Sequence, residues 1–154
     1  MSVLVHRIMS RAHRKNPFGF GQTAARWNPT GYPIIYTASH LSLCATELMA
    51  IMGRNVRLYD WCRIIYKVEG RITFFSKSKL PSDWNHRPHP TSTQQVGRQW
   101  LLVHRTPILA VPSARLPLSI YPAEFNLLIN PMHPDMRSKV SVYHSEDFQF
   151  AMND

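Results

Sequence analysis

Apolar and polar positions follow clear periods along most of this chain. Residues 3–8 (VLVHRI) alternate as in a short strand. Residues 10–31 have no sustained period and contain three glycines and two prolines, which makes a long irregular stretch of the kind that is usually functional or mobile. Residues 32–38 (YPIIYTA) predict a strand. A helix is expected over residues 40–52, with Ser39 as cap, Leu41, Cys44, Ala45, Leu48 and Met52 at helical spacing, and Gly53 at its end. Residues 62–70 alternate again, and a turn at Glu69-Gly70 predicts that residues 71–75 (RITFF) pair with them. Residues 80–90 read as a loop. Residues 91–105 predict a second helix, capped by Thr91, Ser92 or Thr93, with a stripe of Val96, Trp100 and Val103. Four strands follow, at 107–113, 124–131, 139–144 and 147–152. Strands and helices mix without regular βαβ alternation, so the expected fold class is α+β.

The chain has 154 residues, 44% of them apolar, enough for one domain spanning 1–154 with its own core. No apolar run approaches the roughly 18 residues of a membrane helix. In the first 15 residues the apolar patch precedes the basic residues, the reverse of a secretory signal, so a cytoplasmic protein is expected. Two cysteines, Cys44 and Cys62, each lie in an apolar segment and read as buried free thiols. His86 and His89 flank a Pro-rich loop with no third ligand nearby, so no metal site is expected.

Charge changes the picture more. Lys and Arg number 18 against 9 Asp and Glu, a net charge of +9. Such a balance suits a polyanion, a phosphorylated small molecule or an acidic partner. No run of five basic residues and no nucleic-acid-binding motif is present. Glu47 is the first acidic residue of the chain, preceded by Arg7, Arg11, Arg14, Lys15 and Arg26. A lone carboxylate in such company is expected to stay ionised.

Glu47 sits about 100–120° from the middle of the apolar stripe of its helix, at the margin of the buried face. On position alone it reads as a solvated flank residue. Arg26 beside Trp27 reads as a packing or surface arginine, Tyr36 as a core tyrosine at a strand end, and Ser113 in VPSARLP as a turn residue. No GxSxG surrounds Ser113. Asn126 and Asn130 in NLLINPMHP have an ordinary reading as backbone ligands.

Taken in order, these residues have another reading. The segments ARWNPTGYPIIYTAS, ATELMA, QQVGRQWL, LAVPSA and NLLINPMHP, carrying Arg26, Tyr36, Glu47 and Ser113, resemble the RES-domain toxins, named for Arg, Glu and Ser. The resemblance runs from about His6 to Phe150. One departure is that Ala24-Ala25 stand where family members often have glycine before the arginine. The resemblance implies a fold like that of ADP-ribosyltransferases, with mixed β-sheets and flanking helices. It implies NAD+ as a consumed substrate rather than a cofactor, with ADP-ribose passed to phosphate, water or a protein. It also implies a partner, an antitoxin with an Xre-like helix-turn-helix domain whose C-terminal part blocks the active site. Direct nucleic-acid binding by the chain itself is not implied.

By match, Arg26, Tyr36, Glu47 and Ser113 are the functional positions, with Asn126 a further substrate-side residue. The chemistry suits the residue types. Nicotinamide leaves a pyridinium as a neutral group, so no general acid is needed and one carboxylate suffices, unlike the two of ordinary glycosidases. Glu47 would steady the cationic ribose, Arg26 the diphosphate, and Tyr36 the nicotinamide face. Ser113 could serve the nicotinamide amide, the ribose or Glu47. Trp27 and Asn28 read as fixing the loop. No GxGxxG is present, so a Rossmann-type dinucleotide site is not expected. A basic ribonuclease or RNA-binding toxin is the alternative that net charge and eight histidines leave open.

Overall fold

Among the described residues, six strands and three α-helices form in the order β1 (Ser2–Ser10), β2 (Ile35–Ala38), α1 (Leu41–Met52), β3 (Trp61–Glu69), α2 (Thr91–Val103), β4 (Ile108–Val111), β5 (Asn126–Ile129), α3 (Met136–Lys139) and β6 (Val140–Phe148). These elements come from a computed structural model that describes residues 1–152. The strands make one sheet in the order β4-β5-β2-β1-β3-β6, with antiparallel neighbours throughout and one isolated parallel bridge, Phe74 to Ala110. The α+β class expected from the sequence is the class observed.

The longest pairing joins β1 to β3 over nine residues, from Ser2–Glu69 to Ser10–Trp61. This corrects the expected hairpin between residues 62–70 and 71–75. β3 matches β1 end to end, so it buries Val5 together with Ile64, Tyr66 and Val68. A five-residue partner could not cover that surface. At Gly70, whose φ is +80°, the chain leaves the sheet. It then bonds β4 instead, through Phe75 N–H to Ala110 O and Ala110 N–H to Thr73 O.

The expected strands at 139–144 and 147–152 merge into β6, which runs through Ser145 and Glu146 and ends at Phe148, so residues 149–152 lie outside it. Ile65 faces His144 and Tyr66 faces Val142, so Tyr143 is left unpaired and the inside–outside alternation slips by one residue. Ser145 and Glu146, the polar residues that divide the two segments in the sequence, stay in the strand because they pair with Ile64 and Arg63.

Strands β4 and β5 are buried on both faces. Ile108, Ala110, Leu127 and Ile129 join the core shared with β1 and β3, while Leu109, Val111 and Leu128 join a second core with Trp27, Ile34, Trp84 and Leu101. Register places Tyr36 opposite Leu128, Ala38 opposite Asn126, and Val111 opposite Asn126. Tyr36 and Asn126 therefore share the second face. β1 and β2 share only the register pair His6–Ala38, and α1 packs across both strands there.

Both helices turn differently from expectation. Leu43 is the buried residue of α1, and Leu41, Cys44, Ala45, Leu48 and Met52 are half-buried. Glu47 is one turn on from Leu43 and half-buried, at the margin of the inward face as expected, whereas Ile51 a further turn on is 67% exposed. Ser39 does not cap α1; its Oγ accepts Phe125 N–H at 2.9 Å, and His40 takes the N-cap position without a side-chain bond. Gly53, at φ +58°, ends α1 as predicted.

In α2 the buried residues are Thr93, Gly97 and Leu101; Val96 and Trp100 are half-buried, and Val103 is exposed. Pro90 is the N-cap. Thr93 Oγ1 donates to Pro90 O and Arg26 O, and Ser92 Oγ to Asp83. The inward stripe is set by a close approach. A Cβ on Gly97 would lie 1.5 Å from the carbonyl oxygen of Trp27. No helix among the described residues is long and apolar enough to cross a membrane.

Candidate active site

The turn Ala25–Asn28 is closed by Ala25 N–H to Asn28 O at 3.0 Å and has Arg26 and Trp27 at its tip. A second turn follows, Tyr32 N–H to Pro29 O, with Gly31 at φ +86° in the position that favours glycine. The two turns bring β2 back beneath the first one. Tyr36 Oη then accepts Trp27 N–H at 3.0 Å and donates to Asn28 Oδ1. Asn28 Nδ2 donates to Thr23 O. Asn28 is thus a loop-fixing residue, whereas Trp27 both enters the second core and lines the cleft described next.

Arg26, Tyr36, Glu47 and Asn126 line one cavity of about 210 Å³, together with Ala25, Trp27, Ile51, Arg87, His89, Ala114 and Arg115. Four of the five residues singled out from sequence meet there. Ser113 lies behind the wall, 3% exposed, and its Oγ donates to Glu47 Oε1 at 2.7 Å while accepting Arg115 N–H at 3.1 Å. Asn126 also hydrogen-bonds Glu47 and donates to Thr37 O. Of the three partners that the sequence left open for Ser113, the structure gives it Glu47. The carboxylate is therefore oriented by two neutral groups on two different strand ends.

Burial raises the Glu47 pKa above the usual carboxylate value; the hydrogen bonds from Ser113 and Asn126 and the charges of Arg115 and Arg26 pull the other way. Its basic neighbours do favour charge, but desolvation is the larger effect. Tyr36 is held neutral, its pKa raised by burial. Arg26 is 8% exposed, and its pKa is lowered by burial and by the like charges of Arg115 and Arg87. It stays protonated, as guanidinium does in proteins. Its Nη1 donates to Trp84 O at 2.8 Å and His86 O at 2.9 Å. Arg26 thereby ties the 84–89 loop to the turn.

That loop carries the residues that sequence reasoning missed. Arg87 and His89 line the cavity, as does Arg115, two residues beyond Ser113. The signals were present in NHRPHP and VPSAR, but nothing in a linear reading brings these segments together. The His89 pKa is lowered by burial and then by Arg26, Arg87 and Arg115, so its ring is neutral at pH 7. Its Nδ1 is buried without a partner. A larger hollow of about 430 Å³, lined by residues that include Phe20, Tyr32, Leu101, Leu102, His104 and Met132, has no carboxylate in its wall. No group of three or more His, Cys, Asp or Glu that could hold a metal occurs among the described residues.

The fold and this cleft define an α+β protein with a single oriented carboxylate among arginines. The comparisons narrow the class. A model of the RES domain matches residues 4–152. The chain is 32% identical over 124 residues to a "Toxin Res" of Photorhabdus laumondii, covering 80% of this chain and 76% of that one. It is 31% identical over 119 residues to a "Prs ADP-ribosylating toxin" of Sphingobium sp., covering 75% and 71%. The toxin–antitoxin complex MbcT–MbcA of M. tuberculosis has a chain of the same fold, with TM-score 0.76 at 17% identity over 97% of this chain and 85% of that one. The chain belongs to the RES-domain toxin family.

Proposed function

We propose that this protein is the toxin of a toxin–antitoxin pair and that it cleaves NAD+ at the nicotinamide–ribose bond, passing ADP-ribose to phosphate or water. One observation carries the reading: the Glu47 carboxylate, held by Ser113 and Asn126, faces the same cavity as Arg26 and Tyr36. In the proposed step the C–N bond to ribose breaks and its electron pair goes to the ring nitrogen, so nicotinamide leaves neutral. Positive charge grows on the ribose, where fixed electrostatics contribute most. Glu47 stabilises that charge. A phosphate or water oxygen then bonds to the same carbon; water loses a proton to Glu47 or solvent. The cavity is smaller than the roughly 300–1,000 Å³ of usual small-molecule sites. It would take the nicotinamide end, with the nicotinamide ring against Tyr36 and the rest over the rim.

The name of the Sphingobium relative supports a second acceptor, a protein side chain, attacking the same carbon. Family membership and the toxin–antitoxin neighbour support an antitoxin partner, which the resemblance gives an Xre-like domain, and a cytoplasmic setting where NAD+ is plentiful.

Purified protein incubated with NAD+ in phosphate and in phosphate-free buffer is expected to release nicotinamide in at least one of them. Mass spectrometry then separates ADP-ribose, its phosphate ester and protein adducts. No turnover at micromolar enzyme removes the reading, and salt-sensitive cleavage of total RNA beside inert NAD+ would replace it with the nuclease alternative.

Ser113→Ala tests the support of Glu47. The lost hydrogen bond favours the charged carboxylate, so its removal raises the Glu47 pKa further. The acidic limb of kcat/KM is expected to move to higher pH, with a loss of roughly tenfold at pH 7. An unmoved limb takes Ser113 out of this role.

A further inference from the structure

We propose that Arg87 and Arg115, carried on two segments that meet at the cleft, form the clamp for the diphosphate of a dinucleotide, with His89 beside them offering a ring nitrogen to a ligand hydroxyl. The inference rests on the reading that such a substrate occupies the cleft. It also moves the diphosphate away from Arg26, the residue to which the family resemblance gives it.

Arg26 already has fixed partners. Its Nη1 is committed to the carbonyl oxygens of Trp84 and His86, and its own carbonyl accepts from Thr93. It is nearly enclosed. Arg26 is therefore a positioning residue that holds the 84–89 loop, and with it Arg87 and His89, against the cavity. Arg87 and Arg115 are different. Both line the cavity, and neither guanidinium has a hydrogen bond or salt bridge to another side chain or carbonyl among the described residues. Guanidinium forks match phosphate oxygens in pairs, and two forks from separate segments match two linked phosphates.

Charge points the same way. Three guanidiniums and one carboxylate face this cavity. Arg87 and Arg115 each disfavour the charge on Arg26, so an anion seated among them relieves a repulsion built into the cleft. His89 adds a second mark. The residue lines the cavity and its Nδ1 is buried without a partner, whereas buried polar atoms ordinarily have one. A ribose hydroxyl would supply one.

The test uses inorganic pyrophosphate as probe and titration calorimetry as readout, with NAD+ kinetics alongside. Arg87→Ala and Arg115→Ala are each expected to weaken pyrophosphate binding by roughly tenfold or more, as for a hydrogen bond to a charged group. The pair together should abolish it at millimolar probe. KM for NAD+ should rise in parallel while kcat changes by less than about threefold, the split expected when uniform binding is lost. Lysine at either position should restore only part of the affinity, because it lacks the fork. Arg98→Ala is the control for net charge: Arg98 stacks on Tyr32, outside the cleft. A parent that does not bind pyrophosphate, a double variant that binds it unchanged, or an equal loss in Arg98→Ala overturns the clamp. The outcomes separate the two readings. Lost pyrophosphate binding in a protein inert to NAD+ keeps the clamp and removes the proposed reaction. Turnover with unchanged KM in the double variant does the reverse.

Discussion

Glu47→Gln is expected to fold as the parent does and to lose NAD+ turnover by at least about a hundredfold, the scale lost with one positioned electrostatic group. Glutamine keeps the shape and can still accept from Ser113, so the variant removes charge and little else. Stability supplies an independent sign. Burial raises the folded pKa of Glu47, so the folded protein binds this proton more tightly than the unfolded chain does. Such a carboxylate costs stability above its unfolded pKa. The cost grows as pH rises through the folded value and is then constant. Glu47→Gln abolishes it. At pH 7.5 the Tm of the variant should therefore equal or exceed that of the parent, and the difference should shrink toward pH 4, where the parent carboxyl is protonated as well. Retained turnover excludes Glu47 from the chemistry. A lower Tm at pH 7.5 would mean that the charge holds the fold, contrary to the account given for its burial.

Gly97→Ala is expected to destabilise the protein by at least about 2 kcal/mol, the middle of the range for overpacking, or roughly 4–8 °C in Tm for a domain of this size. The sign is informative because helix propensity alone predicts the opposite. Alanine inside a helix is favoured over glycine by about 0.5–1 kcal/mol. The added Cβ, however, would lie 1.5 Å from Trp27 O and 2.7 Å from Trp27 C, and both are backbone atoms that no rotamer change can move. Either α2 or the 25–28 turn must shift. Arg26 and Trp27 form the tip of that turn, so nicotinamide release should fall together with Tm. A thermal melt reads the first effect; a Tm at or above that of the parent would refute the close approach of helix and turn.

Much of this molecule was legible in its sequence. Hydrophobic patterning placed five strands and two helices correctly, because packing against a core writes itself into adjacent residues. Gly53 ends α1 where a glycine with positive φ was needed. Arg26, Tyr36, Glu47 and Ser113 were singled out by their order, and the structure gathers three of them at one cavity with the fourth directly behind. The failures share a cause. The 62–75 hairpin was favoured by a local turn, but a nine-residue match between β1 and β3 is nonlocal and buries more. β6 was divided at Ser145 and Glu146, polar residues whose place in a strand depends on the partner strand β3. The inward face of α1 centres on Leu43 because of what packs against it, and its own weak stripe could not show this.

The cleft divides along the same line. By itself the sequence determined the α+β class, the family and the residue that bears the one carboxylate of the site, since these depend on residue type and order. Only the tertiary structure decided that Ser113 serves Glu47, that Arg26 braces a loop, and that Arg87, His89 and Arg115 arrive at the same cavity from segments more than twenty residues apart. Hydrogen bonds and electrostatic coupling act over a few ångströms through space, and chain order does not encode that distance until the sheet has closed.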